Sequence, residues 1–383
     1  MQAMLKTAPP DTVSLAQGVV HWAPPPAALA AAAAGLSDPA NHTYGPTAGL
    51  PALRAALRAK LKAENGLEGM EVMVTAGANQ AFTNAVVALV DPSRDRALLM
   101  TPYYFNHRMA LQMTGMGDNI VYVPCGEDFT PDVPAVCAVL DEDPSIKLVV
   151  VTNPGNPTGT LVPRASLDAL AAACKSAGAF LVVDNTYEYF TFGETARHHT
   201  PAGDHVLHIH SFSKAYGMMG WRVGFVAWDA SRVDIERQLL KVQDTVIICP
   251  PPVSQAMALG AMDAGREWVA RHVAELAANR DAAIAALSPV VGRSNIKGGS
   301  GAFYLMIPIP GDNDVAAVSY LAHKHRVVVI PGRSCGLPGW IRVAFGNLAL
   351  DSCVEAVGRL ADGLRALSEN PGVLAKGGGG QGG

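Results

Sequence analysis

The spacing of apolar residues predicts that strands and helices alternate along the first two thirds of the chain. Leucines at positions 50, 53, 57 and 61 recur at helical spacing, whereas residues 179–184 form a continuous apolar run that ends in an acid, typical of a strand buried on both faces. Further strands are predicted at residues 71–75, 97–100, 147–152, 206–210 and 222–228, and further helices at 27–36, 77–90 and 164–177. The alternation predicts an α/β fold in which helices cover a mostly parallel sheet.

The last third of the chain has a different pattern. Two helical stretches follow the prolines at 250–252, and strands are predicted at 301–307, 327–330 and 341–345. This predicts a second, smaller α+β domain, which the N-terminal segment joins. The expected division is an N-terminal arm with part of the small domain at 1–44, a large domain at 45–265, a small C-terminal domain at 266–370 and a disordered, glycine-rich tail at 371–383.

Composition narrows the class of protein. Of the 383 residues, 49% are hydrophobic and 16% are charged, so the chain can bury a large core and still expose apolar surface, which favours an oligomer. A net charge of -4 without a basic cluster argues against nucleic acid as a partner.

Several features of other protein classes are missing from the sequence. The six cysteines lack Cys-x-x-Cys spacing, and the histidines at 198, 199, 208, 210, 323 and 325 have no acid or cysteine at ligand spacing, so no metal is expected. Residues 1–11 have no apolar core of the kind that a secretory signal needs, and the alanine-rich run at 27–34 is too short to span a bilayer. We therefore expect a cytoplasmic protein with reduced thiols and no membrane span.

The most informative stretch surrounds Lys214, between two predicted strands. A lysine is rarely buried without a partner, and burial lowers the pKa of its amine and makes it nucleophilic. The hydroxyls of Ser211 and Ser213 and the guanidinium of Arg222 are nearby in the sequence and suit a phosphate group. An amine nucleophile beside a phosphate site indicates pyridoxal phosphate, and a polar surface turn is the alternative.

Other polar residues follow the ends of predicted strands. Tyr104, Asn156, Asp184 and Lys214 each come just after one, and functional residues of such sheets gather at the carboxyl ends of the strands. A buried acid such as Asp184 is costly without a partner, and a protonated ring nitrogen would be a suitable one. The alternative for Asp184 is an acid that caps a helix or turn.

Further side chains and one helix end suit the ring and the phosphate. Asn156 and Tyr187 can hydrogen-bond a phenolic ring oxygen, and Tyr104 can stack on the ring face. The helix predicted from residue 77 begins with Gly77, Ala78 and Asn79. The free backbone amides at its N-terminus form a natural phosphate site.

Three ordered motifs carry a resemblance to a known family. They are Asn153-Pro-Gly-Asn-Pro-Thr-Gly159, Asp184-Asn-Thr-Tyr187, and Ser211-Phe-Ser-Lys214 with Gly220-Trp-Arg222. Over residues 14–365 the chain resembles the class I/II aminotransferases of the fold-type I pyridoxal phosphate enzymes. Residues 14–22, 72–82, 102–106 and 217–222 are more similar still to the plant methionine/aromatic subfamily that acts on indole-3-pyruvate.

The resemblance implies roles for the matching positions. Lys214 would bind the cofactor covalently and later move a proton on the substrate, Asp184 would pair with the pyridine nitrogen, and Asn156 and Tyr187 would bind the ring oxygen. Tyr44 resembles the tyrosine that reaches the phosphate of the neighbouring subunit, which implies a homodimer with active sites at the interface. The phosphate would also be held by Gly77, Ala78, Asn79, Ser211, Ser213 and Arg222.

The substrate site is implied in the same way. Arg342 stands where the family binds the substrate α-carboxylate; the alternative is an arginine on a surface strand. Residues 242–249, which should cross the dimer interface, contain no arginine or lysine. An apolar pocket of this kind suits methionine, phenylalanine, tyrosine, tryptophan and their 2-oxo acids. The side chains and backbone expected around the substrate are Gly18, Val19, Trp22, Asn106, Asn156, Ile247 and Ile248.

Three functions remain open at this point. The first is a ping-pong aminotransferase that acts on methionine or aromatic amino acids and 2-oxo acids such as phenylpyruvate. The second is a lyase of the same fold that acts on sulfur-containing amino acids and releases ammonia or a thiol. The third is a regulator that binds pyridoxal phosphate without turnover, although such regulators carry a DNA-binding domain for which this chain has neither the length nor a basic helix.

Overall fold

The described part of the protein, residues 8–193 and 196–375 of the computed structural model, contains three β-sheets. The predictions made for residues 1–7 and for the tail from residue 376 onwards lie outside this part. The strands are β1 (Val13–Ser14), β2 (Met70–Thr75), β3 (Arg96–Thr101), β4 (Ile120–Pro124), β5 (Ile146–Thr152), β6 (Phe180–Asp184), β7 (Val206–Ser211), β8 (Gly224–Asp229), β9 (Lys297–Gly298), β10 (Tyr304–Pro308), β11 (Val327–Val328), β12 (Ile330–Pro331) and β13 (Trp340–Ala344).

The largest sheet has seven strands in the order β2-β8-β7-β6-β5-β3-β4. Five neighbouring strands, β7, β6, β5, β3 and β4, are parallel, and β8 runs antiparallel to both of its neighbours, β2 and β7. Leu181 and Val183 on β6 are fully buried, as the continuous apolar run predicts. The predicted α/β class, with a mostly parallel sheet, is confirmed.

Helices pack against both faces of this sheet and continue into the C-terminal part. The helix Pro51–Asn65 shows why they form where they do: Leu53, Leu57 and Leu61 make one buried stripe, and the helix ends at Gly66, which is left-handed. The other helices are Pro26–Leu36, Ala78–Leu89, Phe105–Met113, Val133–Glu142, Arg164–Ala177, Val233–Ile247, Pro252–Asp263, Gly265–Val291, Asp314–His325, Leu350–Glu369 and Gly372–Ala375.

The C-terminal part contains a smaller antiparallel sheet in the order β12-β13-β10-β9. Strand β1 pairs in parallel with β11, with Val13 opposite Val327. The N-terminal segment therefore lies on the C-terminal part of the chain, and this contact brings residues near position 16 to the edge of the central sheet. No helix of the described residues has both the length and the apolar character needed to cross a membrane.

The structure corrects two predictions of secondary structure. Arg222 does not belong to a strand: its φ is 53°, and β8 begins at Gly224. In the predicted disordered tail, Gly372–Ala375 is helical because it packs on the protein: Leu374 is buried, and its carbonyl accepts a hydrogen bond from Asn313.

Candidate active site

The carboxyl ends of the parallel strands surround a cavity of about 110 Å³. Since parallel strands end at the same edge of a sheet, residues that are far apart in the sequence meet there. This placement brings together all the residues predicted to bind the ring and most of those predicted for the phosphate. The cavity is lined by Ala78, Asn79, Tyr104, Asn156, Asp184, Thr186, Tyr187, Ser211, Ser213, Lys214 and Arg222.

Lys214 follows β7 and its amine is enclosed by the cavity walls. Burial is the main cause that lowers the pKa of Lys214, and together with the positive charges of Arg222 and Arg342 it brings the pKa to about 8, although Asp184 acts in the opposite direction. An amine with this pKa is partly unprotonated near neutral pH and can act as a nucleophile. A polar surface turn is therefore excluded for Lys214.

Asp184, the last residue of β6, uses its two carboxylate oxygens differently. Oδ1 accepts a hydrogen bond from the Thr186 backbone N–H at 3.0 Å, as the turn-acid alternative predicts, and Oδ2 lies 3.1 Å from His107 Nε2. Burial by itself raises the pKa of Asp184, but the hydrogen bonds and charge of His107 and the bond from Thr186 outweigh it and leave the pKa lowered. The carboxylate therefore stays ionised and can pair with a protonated ring nitrogen.

His107 was not predicted from the sequence. It lies one helical turn after Tyr104, and the ring of Tyr104 meets it edge-on with the centroids 5.2 Å apart. The spacing of three residues at a helix N-terminus was the one available signal, because it places both rings on the side of the helix that faces the strand ends. Only the packing shows that His107 reaches Asp184.

Two tyrosine hydroxyls and one side-chain amide meet on the other side of the cavity. The hydroxyls of Tyr187 and Tyr304 are 2.5 Å apart, and Asn156 Nδ2 points to the Tyr187 oxygen at 3.4 Å. Burial raises the pKa of Tyr187 well above its usual range and that of Tyr104 to about 12, so both phenols remain protonated. Protonated phenols and an amide are suitable donors to a ring oxygen.

Arg342 lies on β13, opposite Met306 of β10, and is buried. Its Nη1 donates to Asn156 Oδ1 at 2.8 Å, and its Nη2 donates to the Ala16 carbonyl at 2.7 Å. Its Nε is buried with no hydrogen-bond partner among the described residues. The surface-strand alternative for Arg342 is therefore excluded, and the unpaired donor suits an incoming carboxylate.

At the predicted phosphate site, two glycines let the backbone approach neighbouring groups closely. Gly77 has a φ of 89°, and a Cβ placed there would lie 2.2 Å from Arg222 Nη2. A Cβ on Gly224 would lie 2.7 Å from the Ala78 backbone nitrogen. These glycines let Arg222, whose Nη1 is 3.4 Å from Ser213 Oγ, lie against the N-terminus of the helix Ala78–Leu89. Free amides, a hydroxyl and a guanidinium form a cradle for an anion.

Within one chain, the residues predicted to contact the substrate side chain do not form a common site. Trp22 packs in the core, where its ring stacks on Phe190 and its indole N–H donates to the Ala215 carbonyl at 3.4 Å. Tyr44 is 80% exposed and Ile248 is 41% exposed on the outer surface. The Trp22 side chain does not line this cavity, and its contact with the substrate stays a prediction.

Two further predicted substrate residues have different surroundings. Ile247 is half-buried at the end of the helix Val233–Ile247. Gly18, by contrast, lies at the site: a Cβ there would be 2.1 Å from Tyr304 Oη.

These groups together fit pyridoxal phosphate. The cavity presents an amine with a lowered pKa, an ionised carboxylate and an anion cradle that a Cβ would fill. Arg342, whose Nε has no partner among the described residues, is hydrogen-bonded to Asn156 of the cavity lining. The fold and this set of groups define a pyridoxal phosphate enzyme of fold type I. A family model described as "Aminotransferase class I and II" matches residues 10–360. The chain therefore belongs to the class I and II aminotransferases and is a pyridoxal phosphate-dependent aminotransferase.

Individual relatives agree with this family. The aromatic aminotransferase ISS1 of Arabidopsis thaliana is 46% identical over 360 residues, which cover 93% of this chain and 91% of that protein. The aspartate/prephenate aminotransferase of Thermus thermophilus is 30% identical over 366 residues, or 91% of this chain and 92% of that protein.

Solved structures show the same fold. An aspartate aminotransferase double mutant of Thermus thermophilus has a TM-score of 0.84 at 28% identity and covers 95% of this chain and 94% of that one. The aromatic aminotransferase of Pyrococcus horikoshii has a TM-score of 0.85 at 27% identity, and the match covers 97% of this chain and 99% of that one. The relatives and solved structures named here are all aminotransferases.

Proposed function

We propose that this aminotransferase moves the amino group between aromatic amino acids or methionine and 2-oxo acids, including phenylpyruvate and indole-3-pyruvate, by a ping-pong mechanism. The observation that carries the proposal is a cavity lined by Lys214 and Asp184, beside which Arg342 donates a hydrogen bond to Asn156 of the lining. The aromatic preference is supported by the name and the 46% identity of the Arabidopsis relative. We further propose a homodimer in the cytoplasm, which the six free cysteines suit.

The roles of the residues around the ring follow from their chemistry. Bound pyridoxal phosphate supplies an electron-accepting ring that stabilises negative charge on the substrate α-carbon. Lys214 would hold the cofactor covalently and, once the substrate amine had displaced it, its free amine would remove and return the α-proton, a task that suits a pKa of about 8. Asp184 keeps a proton on the ring nitrogen because its carboxylate is ionised and buried.

Other side chains orient the two ligands. Tyr187 and Asn156 would donate to the ring oxygen, and Tyr104 would supply an aromatic face for the ring. Arg342 binds the α-carboxylate with its free Nε and an Nη group, since both are held in a fixed plane by the bonds to Asn156 and Ala16. The phosphate is held by Ala78, Asn79, Ser211, Ser213 and Arg222 around Gly77.

The lack of a cation in residues 242–249 favours an apolar substrate side chain. A dicarboxylate substrate needs another positive group, and residues 242–249 provide none. Ile247 and Ile248 lie on this segment, and we propose that they reach the active site of the neighbouring subunit in the homodimer, as Tyr44 does at the phosphate. This arrangement explains why the three residues lie away from the cavity of their own chain.

A half-reaction on the purified holoenzyme tests the function. Methionine, phenylalanine, tryptophan, aspartate or alanine is added singly, without a 2-oxo acid, while the visible absorption of the lysine-bound cofactor is followed. We expect methionine and the aromatic amino acids to remove this band without release of ammonia or thiol. The same treatment of Lys214→Ala should give no reaction, because that variant lacks the amine.

Each outcome has a definite meaning. If aspartate reacts best, the enzyme is an aminotransferase but the apolar pocket is wrong. Release of ammonia or thiol would instead indicate the lyase chemistry. Near-normal turnover by Lys214→Ala would overturn the central role of the lysine.

A further inference from the structure

Tyr304 contacts the active site although no motif pointed to it. It lies on β10, 117 residues from Tyr187 in the sequence, and its hydroxyl is 2.5 Å from the Tyr187 hydroxyl. Tyr304 is fully buried and Tyr187 nearly so. A hydrogen bond this short between two enclosed phenols fixes the position of both hydroxyls.

The number of available protons limits how this pair can bond. Each phenol has one O–H donor and an oxygen that can accept. Burial raises the pKa of both Tyr187 and Tyr304, so both keep their protons at neutral pH. Within the pair only one hydroxyl can donate to the other. If Tyr187 gave its proton to Tyr304, it would have none left for the cofactor.

We propose that Tyr304 is a positioning residue that donates its proton to the Tyr187 oxygen and thereby directs the Tyr187 proton to the ring oxygen of the cofactor. The direction of the bond follows from Arg342, whose guanidinium carbon is 4.4 Å from the centre of the Tyr304 ring. A cation against the ring face draws electron density from the phenol and makes Tyr304 the better donor of the two.

Gly18 holds the Tyr304 hydroxyl in this orientation. A Cβ at Gly18 would be 2.1 Å from Tyr304 Oη and 3.6 Å from Tyr187 Oη, so the backbone packs directly against the pair. A glycine is therefore required at this position by the Tyr304 hydroxyl. The titratable and charged groups that face the pair are Tyr104, Asp184, Cys335 and Arg342.

The proposal predicts a shift in a spectroscopic pKa. Negative charge on the ring oxygen stabilises a proton on the cofactor-bound nitrogen of Lys214, and a hydrogen bond from Tyr187 reduces that charge. Without the Tyr304 proton, Tyr187 becomes a weaker donor to the ring oxygen. We expect Tyr304→Phe to raise the pKa of the visible band by about 0.5 to 1 unit, a three- to tenfold change in proton affinity.

The experiment is a pH titration of the visible band in the substrate-free holoenzyme. The wild type is compared with Tyr304→Phe, Tyr187→Phe and the double variant. Because Tyr304 acts through Tyr187, the double variant should shift no more than Tyr187→Phe alone. Gly18→Ala, which must displace the Tyr304 hydroxyl, should shift the band in the same direction.

Tyr216→Phe is the matched control. Tyr216 is a buried phenol two residues after Lys214, and it lies outside the cavity lining. Its variant should lose some stability and leave the band pKa unchanged. A Tyr304→Phe titration that matches the wild type, or shifts that add in the double variant, would overturn the proposal. No amino acid is added, so the result is independent of the proposed substrate.

Discussion

Lys214 is buried although its amine can carry a positive charge. Burial opposes the charge of its ammonium group, and Arg222 and Arg342 add like charges, so the pKa is about 8 and not the ordinary 10.5. Between these two pH values the unfolded chain binds more protons than the folded one. Stability of the cofactor-free protein should therefore rise with pH through this window, and the cost of burying the lysine is fully present below pH 8.

Replacement of Lys214 should remove this cost. In the cofactor-free protein, Lys214→Met is expected to be more stable than the wild type below pH 8, by up to about 3 kcal/mol, and the gain should fade toward pH 10.5. The measurement is the free energy of unfolding in urea at pH 7 and at pH 10. A difference that is the same at both pH values would contradict the assignment of the lowered pKa to Lys214.

At the scale of elements, a buried ion network joins a helix to the active-site strands. Lys60 on the helix Pro51–Asn65 lies 2.5 Å from the Glu188 carboxylate, and His210 Nδ1 on β7 lies 3.1 Å from it. The bonds from Lys60 and His210 hold the pKa of Glu188 well below its usual range despite burial, which acts in the opposite direction. Glu188 follows Tyr187 directly, and His210 precedes Ser211, so the network supports two sides of the cavity.

Removal of one partner from this network should be costly. Lys60→Met leaves the buried Glu188 carboxylate without its cation and is expected to lower the free energy of unfolding by about 3 to 5 kcal/mol. The double variant Lys60→Met with Glu188→Leu should recover most of that loss because no buried charge remains.

Chemical denaturation measures these effects, and the same helix offers a control. Lys62 pairs with Glu68 at the surface, where the two side chains are 66% and 71% exposed. Lys62→Met should change the free energy of unfolding by no more than about 0.5 kcal/mol. Equal effects at Lys60 and Lys62 would show that the buried network adds no stability of its own.

At the scale of the whole molecule, an apolar surface suits a second copy of the chain. Val246 and Ile248 are 61% and 41% exposed, and Tyr44 is 80% exposed. The segments that carry them touch, since the Thr47 hydroxyl lies 3.3 Å from Asp244 Oδ1. Exposed apolar groups that lie together on one face are typical of an interface.

The homodimer can be tested on this surface. The wild type should sediment at twice the mass of one chain, and Val246→Asp should shift it toward the monomer because a charge would be buried at the interface. Val354→Asp is the control, since Val354 is 50% exposed on the helix Leu350–Glu369. A wild type that remains monomeric at micromolar concentration would exclude the proposed roles of Tyr44 and Ile248 across an interface.

The sequence by itself determined the fold class and the chemical core of the site. Apolar runs predicted the buried parallel strands, and Lys214, Asp184 and Asn156 could be placed because each lies at or soon after a strand end. Such predictions succeed because the pattern of burial and the ends of strands are local properties, and the carboxyl ends of parallel strands always meet.

Only the tertiary structure decided which distant side chains meet. Tyr304 reaches Tyr187, and His107 reaches Asp184 from 77 residues away, yet neither contact leaves a local signal. The stacking of Trp22 on Phe190, 168 residues away in the sequence, is likewise visible only in the structure. Contacts of this kind depend on how helices and sheets pack in three dimensions, and no spacing along the chain encodes that packing.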